Sequence, residues 1–435
     1  MPRQLGTPRA SSSPIRSRWR PIVVLVTLAL VASSCGGGSS SDAGAPGKEG
    51  LTPVELGVAT LGFSNWQQAF RYYDEQKQLV NEVGRDYGYD IRVKWFEFPV
   101  APEMFSAMEA GDVDIGPAAT FPLVNQIRAG RPYRVLTNTL GMFQFMLMVR
   151  KDSNIKTAKD LRGKTVGLAV GTAHQSVFEN FIRAELGQSL EEANIRLASQ
   201  PAPVPRMPAG MDAYQTFSPA ILPALENPDS DIVPLYSLAA PAETGPAYDG
   251  PLGKGAGHEL PSLEKSPWNP EGFIALRNPF LVTDPFLKEH PDVVKSFVIA
   301  HQRAMRMFLD WDLREVTDLY PANDWDLMPR KAYEERSLAR DLVYAHRKGW
   351  VWPTAAEVDV LILESQQMVD LGVIDKPLTV EEVKAVFEPT EDLLREAYEA
   401  TGSYPDAEVF TDPEAEDFRG IPVWDIDWDT YEPRG

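Results

Sequence analysis

From Val54 onward, strand-like alternation and helix-like periodicity take turns along the chain, and this rhythm restricts the fold more than any other feature. Val54, Leu56 and Val58 alternate with Glu55 and Gly57, as in a strand with one buried face. A helix is expected around residues 66–83, an alternating strand at Ile91, Val93 and Trp95, and a helix around 101–110 ended by Gly111. Residues 113–116 read as a short strand, 121–129 as a helix ended by Gly130, and 133–136 as a strand. After the hydrophobic stretch 145–149 the rhythm restarts. Residues 165–170 form a strand, Gly171-Thr172 opens a helix with Phe178, Phe181, Ile182 and Leu186 on one face, and 210–214 lead into another strand. Such alternation argues for two α/β units of parallel strands covered by helices. Residues 240–271 break the pattern with prolines and glycines and read as a surface excursion. Helical patterns return at 292–309, 329–347, 354–371 and 379–401, and no internal repeat is evident.

Ahead of this lies a different grammar. Arg16, Arg18 and Arg20 precede the apolar run 22–32, then Ser33, Ser34 and Cys35. Basic residues, a short apolar core and small residues before a cysteine make a lipoprotein signal over residues 1–34, with Cys35 as the lipid attachment point. The run is too short to span a bilayer, which needs about 20 apolar residues. Residues 35–51, rich in glycine and serine, read as a flexible linker between the lipid and the folded part. Removing residues 1–34 takes away five arginines and no acid, so the formal charge falls from −20 to −25. A surface that acidic repels phosphate backbones and anionic headgroups, which excludes nucleic acid as a partner and leaves membrane attachment to the lipid. Cys35 is the only cysteine, so stability rests on burial rather than disulfides.

Motifs for bond chemistry do not complete themselves. Gly163-Lys164-Thr165 resembles the end of a phosphate-binding loop, but Ala158 stands where the loop needs its first glycine. Asp425, Asp427 and Asp429 match the first ligand spacings of a calcium loop, yet Thr430 replaces the turn glycine, and a solvated acidic tail over residues 402–435 is the better reading. Histidines 174, 258, 290, 301 and 346 form no paired helical metal spacing, and there is no nucleophile elbow. No metal or cofactor is expected, and no enzymatic activity. Trp95, at strand spacing, reads as core, whereas Trp66 and Trp268 lie outside obvious strands and are open to a pocket role.

One arrangement decides the reading. A strand ending Trp95-Phe96-Glu97-Phe98 is followed by Pro99 and Pro102, a helix ending Met108-Glu109-Ala110-Gly111, then Asp112-Val113-Asp114-Ile115-Gly116 and Ala129-Gly130-Arg131-Pro132. Lys151-Asp152-Ser153, Lys159-Asp160-Leu161-Arg162-Gly163-Lys164-Thr165-Val166, Gly171-Thr172, Ala209-Gly210-Met211-Asp212-Ala213 and His290-Pro291-Asp292-Val293-Val294 continue the series. In this order and spacing the motifs resemble the nitrate/sulfonate/taurine group of solute-binding proteins of ABC importers, most closely its aliphatic-sulfonate branch, over most of residues 52–310.

The resemblance implies a two-lobed type II periplasmic-binding-protein fold of α/β class with a helical C-terminal extension. It divides the chain into a first lobe from residues 52–145 and 273–401 and a second from 146–272, followed by the acidic tail. It implies an extracytoplasmic, lipid-anchored protein that captures a small molecule between its lobes and delivers it to a permease and ATPase. By family position the cleft is lined by Phe63, Ser64, Asn65 and Trp66, by Ala119 and Thr120, by Gly171, Thr172, Ala173 and His174, and by Tyr214, Phe217 and Ser218. Two departures touch the ligand. Ala119-Thr120-Phe121-Pro122 stands where the sulfonate pattern has glycine and aspartate before proline, and Ser218 stands where an acid precedes the residue matching Pro219. Both remove carboxylates and favour a small organic anion, sulfonate-like, while a pyrimidine vitamin precursor, an aromatic organic acid or a ligand-sensing lipoprotein are alternatives. With few basic residues near, the anion would be held by backbone N–H groups and the helix dipole behind Gly171-Thr172, joined by the Thr172 hydroxyl and by His174 when protonated. The competing role for Thr172 is a plain helix cap. The acidic tail is expected to be dispensable for binding.

Overall fold

A computed structural model describes residues 50–61, 65–139, 144–200, 207–218, 221–238, 249–250, 253–254, 278–334, 338, 351–401 and 421–433. The expected signal, Cys35 and nearly all of its linker lie outside these residues, as do Phe63, Ser64, Trp268 and most of the 240–271 excursion.

Strand β1 (Thr52–Leu61) pairs in parallel with β2 (Tyr89–Phe98) along its whole length and with β3 (Ile115–Pro117) on its other edge. From Leu56 to Thr60 both faces of β1 are buried, so the alternation in the sequence marks only its leading end. Gly57 is where β1 needs bare backbone, because a Cβ there would lie 2.5 Å from the Asp112 carbonyl oxygen. Two bonds hold the approach: the Gly57 N–H donates to the Asp114 carboxylate at 2.8 Å, and the Asp114 N–H donates to the Gly57 carbonyl at 2.8 Å.

The first sheet is completed by β4 (Tyr133–Thr139) and by a strand from far along the chain, β12 (Asn278–Thr283), in the order β2-β1-β3-β12-β4. The second sheet contains β5 (Gln144–Arg150), β6 (Thr165–Leu168), β7 (Arg196–Ser199), β8 (Ala213–Ser218) and β9 (Ile232–Leu238), in the order β7-β6-β8-β5-β9. β12 runs antiparallel to both its neighbours, and so does β5. The parallel units expected from the sequence are therefore mixed sheets: the strand entering each sheet from the other lobe runs against the other four. The short pair β10 (Asp249–Gly250) and β11 (Gly253–Lys254) lies within the excursion. The clamp of the first sheet recurs in the second, where the Thr165 N–H donates to the Asp212 carboxylate at 2.9 Å and the Asp212 N–H to the Thr165 carbonyl at 2.9 Å.

The helix expected over 66–83 is two, α1 (Asn65–Lys77) and α2 (Leu79–Asp86), parted at Gln78 with φ of 55°. The cause is Asp74, buried, whose carboxylate accepts from the Val80 N–H at 2.8 Å and the Trp95 indole N–H at 3.1 Å. Burial pushes the Asp74 pKa up, against the pull of those bonds. Helix α3 (Ala101–Ala110) ends at Gly111 in the left-handed region, as its sequence predicts, and α4 (Thr120–Arg128) follows β3. Helix α5 (Ala173–Leu186) lays Phe178, Phe181 and Ile182 on the second sheet against Leu147, Val166 and Leu168. After α6 (Leu222–Glu226) and α7 (Asp284–Glu289), the long α8 (Pro291–Asp310) packs with α1 on the first sheet, where Phe70, Phe280, Phe297 and His301 form one aromatic cluster.

Three later helices extend the first lobe. Ala355–Asp370 touches α4 and also α5, Val380–Phe387 covers β4, and Glu391–Thr401 lies on α8. Of the helix expected over 329–347, residues 329–334 and 338 are described, with an α-helical turn at Arg330–Tyr333. Within the expected tail, residues 402–420 lie outside the described residues, but 421–433 are built into the fold, which corrects their reading as a solvated end. The Ala355 N–H donates to the Ile421 carbonyl at 2.8 Å and the Val423 N–H to the Pro353 carbonyl at 3.1 Å. Trp424 is 7% exposed, edge-on to Trp352 with centroids 5.6 Å apart. The Trp428 indole donates to Glu391 at 2.7 Å, and the Tyr431 hydroxyl to Asp359 at 2.7 Å. Asp425, Asp427 and Asp429 stay exposed between these anchors. The stretch is acidic on its outer side and aromatic on its inner side, a division that lacks regular periodicity because the backbone is mostly turns.

Candidate functional site

In open α/β sheets the ligand crevice lies beyond the carboxyl ends of the strands. Here those ends are Leu61, Pro117 and Thr139 in the first lobe, and Leu168 and Ser218 in the second. The lobes meet in this region: α4 touches α5, and Ala119 packs against the second lobe's core.

On the second lobe, β6 leads into Gly171, whose φ of 77° is left-handed and turns the chain into α5. The Thr172 hydroxyl accepts from the His174 N–H at 3.2 Å and donates to the Ala169 carbonyl at 2.7 Å. The Gly171 N–H donates to the Gln175 side chain at 3.0 Å, and the Gln175 N–H to the Thr172 carbonyl at 2.9 Å. The turn is thus largely closed on itself, with the Thr172 proton directed at Ala169. Thr172 acts as a cap, and the expected hydroxyl contact to an anion would require that bond to break. Among the described residues, Thr172 and Ala173 are the amides of this first turn that meet no acceptor. Behind them the Gln215 side chain donates to the His174 carbonyl at 2.7 Å and steadies the turn from β8.

His174 supplies no charge. Its ring stands edge-on to Phe145 with centroids 4.7 Å apart, its Nδ1 is shut off from solvent, and burial pushes its pKa down to about 3. The imidazole is neutral at neutral pH, which corrects the expectation of a protonated anion ligand.

On the first lobe, Thr120 is buried at the start of α4, and the Ala118 N–H donates to the Pro279 carbonyl at 3.0 Å, tying the end of β3 to β12. Trp66 is wholly buried, with its ring 6.1 Å from that of Phe308, and Tyr214 of the second lobe is buried too. Both are packing residues in this conformation rather than exposed cleft walls. Asn65 begins α1, Ala173 begins α5, and Phe217 and Ser218 end β8, where Ser218 pairs with Gln144.

Sequence reasoning passed over the polar groups beneath this end of the first sheet. Gln67 accepts from the Leu61 N–H at 3.2 Å and donates to the Thr139 hydroxyl at 3.1 Å, joining the ends of β1 and β4. Thr139 pairs with Asn278, the first residue of β12. Asn278 is 1% exposed, and neither its carboxamide nitrogen nor its oxygen meets a partner among the described residues. An unmatched buried polar group costs about 1–3 kcal/mol, so its retention calls for a reason. On the next position of β4, Asn138 points to the other face and donates to Glu357 at 2.9 Å. Nothing in the one-dimensional pattern marks Gln67 or Asn278, because each matters through a strand distant in sequence. Among the described residues no group of three or more histidines, cysteines or acids could hold a metal ion, and no helix is long and apolar enough to cross a membrane.

Comparison with known proteins gives these elements relatives. Residues 98–199 match the NMT1/THI5 like family. An aliphatic sulfonates-binding protein of Escherichia coli is 27% identical over 95 residues, 22% of this chain, and the arginine-binding extracellular protein ArtP of Bacillus subtilis is 24% identical over 186 residues, 41% of this chain. These alignments span 30% and 65% of the two relatives' lengths. Among solved structures, the alkanesulfonate-binding protein SsuA of Xanthomonas axonopodis pv. citri, bound to MOPS, superposes with a TM-score of 0.53 at 16% identity, covering 76% of this chain and 98% of its own. The periplasmic nitrate-binding protein NrtA of Synechocystis superposes with a TM-score of 0.53 at 12% identity, covering 82% and 92%. At such identities the likeness is one of fold: two mixed sheets with helices, as in periplasmic binding proteins.

Proposed function

We propose that this chain, with NMT1/THI5-like residues 98–199 and the periplasmic-binding-protein fold, is an extracytoplasmic solute-binding protein of an ABC importer. It captures a small organic anion of the sulfonate class between its lobes and hands it to a membrane permease and its ATPase. Cys35, lipidated after removal of residues 1–34, tethers it to the outer face of the membrane. Binding and lobe closure are the whole of its task, without bond chemistry.

The observation that carries the reading is the meeting of the two sheets' carboxyl ends. The α5 first turn offers amide donors there, Ala119-Thr120-Phe121-Pro122 stands where the sulfonate pattern has glycine and aspartate before proline, and Ser218 stands where it has an acid. An anion can be held by amide donors at a helix N-terminus without a cation. The arginine-binding relative makes charge the first question to put to the cleft. Thermal unfolding of the full-length protein with alkanesulfonates, nitrate and L-arginine answers it. A sulfonate at about 100 times its Kd stabilises the folded state by about 2.7 kcal/mol. A response to arginine and to none of the anions would reject the anion reading. Cys35→Ser tests the anchor by abolishing lipid labelling; unchanged labelling would refute it.

A further inference from the structure

Asn278 is left without a role by the scaffold. This inference rests on the anion reading above and concerns which anion the cleft prefers. We propose that the Asn278 carboxamide reads the ligand: its N–H donates to an oxygen of the anionic head, and its carbonyl accepts from a hydrogen-bond donor carried near that head. The preferred ligands are then sulfonates bearing such a donor, such as 2-hydroxyethanesulfonate, over plain alkanesulfonates.

Four observations converge. Asn278 is buried with both carboxamide atoms unmatched among the described residues, so whatever satisfies it must supply an acceptor and a donor together. It opens β12, which lies between β3 and β4 at the end of the sheet facing the other lobe. Directly paired residues of neighbouring strands share a face, so Asn278 lies on the face of Thr139 and Gln67. Gln67 donates to the Thr139 hydroxyl oxygen, which leaves the Thr139 O–H as a second donor beside Asn278.

Charge is consistent with the assignment. A buried acid of the same lobe, Glu357, bonds Asn138 on the opposite face of the sheet. His301, bonded to Thr137 on the same face as Thr139, is held neutral by burial. Among the described residues, these two contacts bring neither a carboxylate nor a cation to the face of Asn278. The matching place in the second lobe, the first residue of the antiparallel β5, is Gln144, so a carboxamide residue opens the crossing strand of each sheet.

The test compares full-length wild type, Asn278→Leu and Asn278→Asp by calorimetric titration with 2-hydroxyethanesulfonate and ethanesulfonate, alongside thermal unfolding without ligand. Asn278→Leu is expected to unfold no lower than wild type, since it removes an unmatched polar group. It should bind 2-hydroxyethanesulfonate at least tenfold more weakly and lose the wild-type preference for it over ethanesulfonate. Asn278→Asp should bind both anions more weakly still, through repulsion. Equal affinities in wild type and the folded variants would overturn the inference while leaving the sulfonate reading intact. A lower melting temperature for unliganded Asn278→Leu would also overturn it, by showing that the amide has a structural partner such as a buried water. Wild type binding neither sulfonate would overturn the sulfonate reading, and this inference with it.

Discussion

The two lobes share a plan and differ in what they leave unfinished. Each has four strands in one direction and a fifth running against them, and each is pinned by an aspartate that trades two bonds with the backbone of the strand second from the sheet's edge, Asp114 with Gly57 of β1 and Asp212 with Thr165 of β6. The second lobe ends β6 in a turn largely closed on itself through Thr172, Gly171 and Gln175. The first lobe ends its strands on a shelf where, among the described residues, Gln67 and Thr139 are bonded but the Asn278 side chain is not. The difference teaches that a common scaffold fixes where the ends lie, whereas the polar groups left unmatched there differ from lobe to lobe. The cores differ as well. The larger core runs from the first lobe into the C-terminal helices and residues 423–431 and takes in one face of the second sheet through Met146, Met148 and Tyr214, while the other face of that sheet packs with α5 in a separate cluster.

The strongest way to break this comparison is to remove the first lobe's extra core. Trp424→Ala should cost about 3–5 kcal/mol, the usual range for deleting a buried tryptophan. Chemical denaturation measures the loss, and hydrogen exchange should show helix Ala355–Asp370 losing protection before α5 does. Full stability in the variant would restore the reading of the tail as a dispensable appendage.

Acid probes both lobes at once through one histidine in each. His301 and His174 have their pKa values pushed down to about 3 by burial, from an ordinary 6.5. The unfolded chain therefore binds protons that the folded chain does not, and stability falls as pH drops from about 6.5 toward 3. The limiting slope is about 1.4 kcal/mol per pH unit for each histidine, less for His174, which is only partly buried. Above pH 7 neither contributes any slope. Replacing His301 with leucine should flatten the acid limb more than the same change at His174, and an unchanged limb in both variants would refute their neutral burial.

The smallest effect sharpens the view of the second lobe. Thr172→Ala should cost about 1 kcal/mol, as for the loss of an N-cap, and Thr172→Ser should restore it. Anion affinity should follow stability closely, because the hydroxyl proton is committed to Ala169. An affinity loss far beyond the stability loss would return Thr172 to direct contact.

Much of the architecture was legible in residue order. Gly111 and Gly130 mark helix ends as expected, and both take the left-handed backbone that glycine adopts at least cost. The strand and helix rhythm correctly predicted two α/β units, since the periods of 2 and 3.6 are local properties of each element. The site was legible as a set of loops but not as chemistry. Trp66 and Tyr214 stand at cleft positions in the sequence, yet tertiary packing buries both.

What the sequence by itself determined is the content of each element: its periodicity, its ends and the strand-to-helix turn at Gly171-Thr172. Only the tertiary structure decided the direction of β5 and β12, because that depends on the chain crossing between lobes and leaves no mark on the alternation within a strand. It also broke the first long helix at Gln78, where the buried Asp74 captures the Val80 amide. It seated the aromatic side of residues 423–431, and it left Asn278 unmatched beside a threonine 139 positions earlier. Each of these outcomes is a contact between segments far apart in sequence, and the free energy of such contacts is set by what burial brings together, not by any residue's neighbours along the chain.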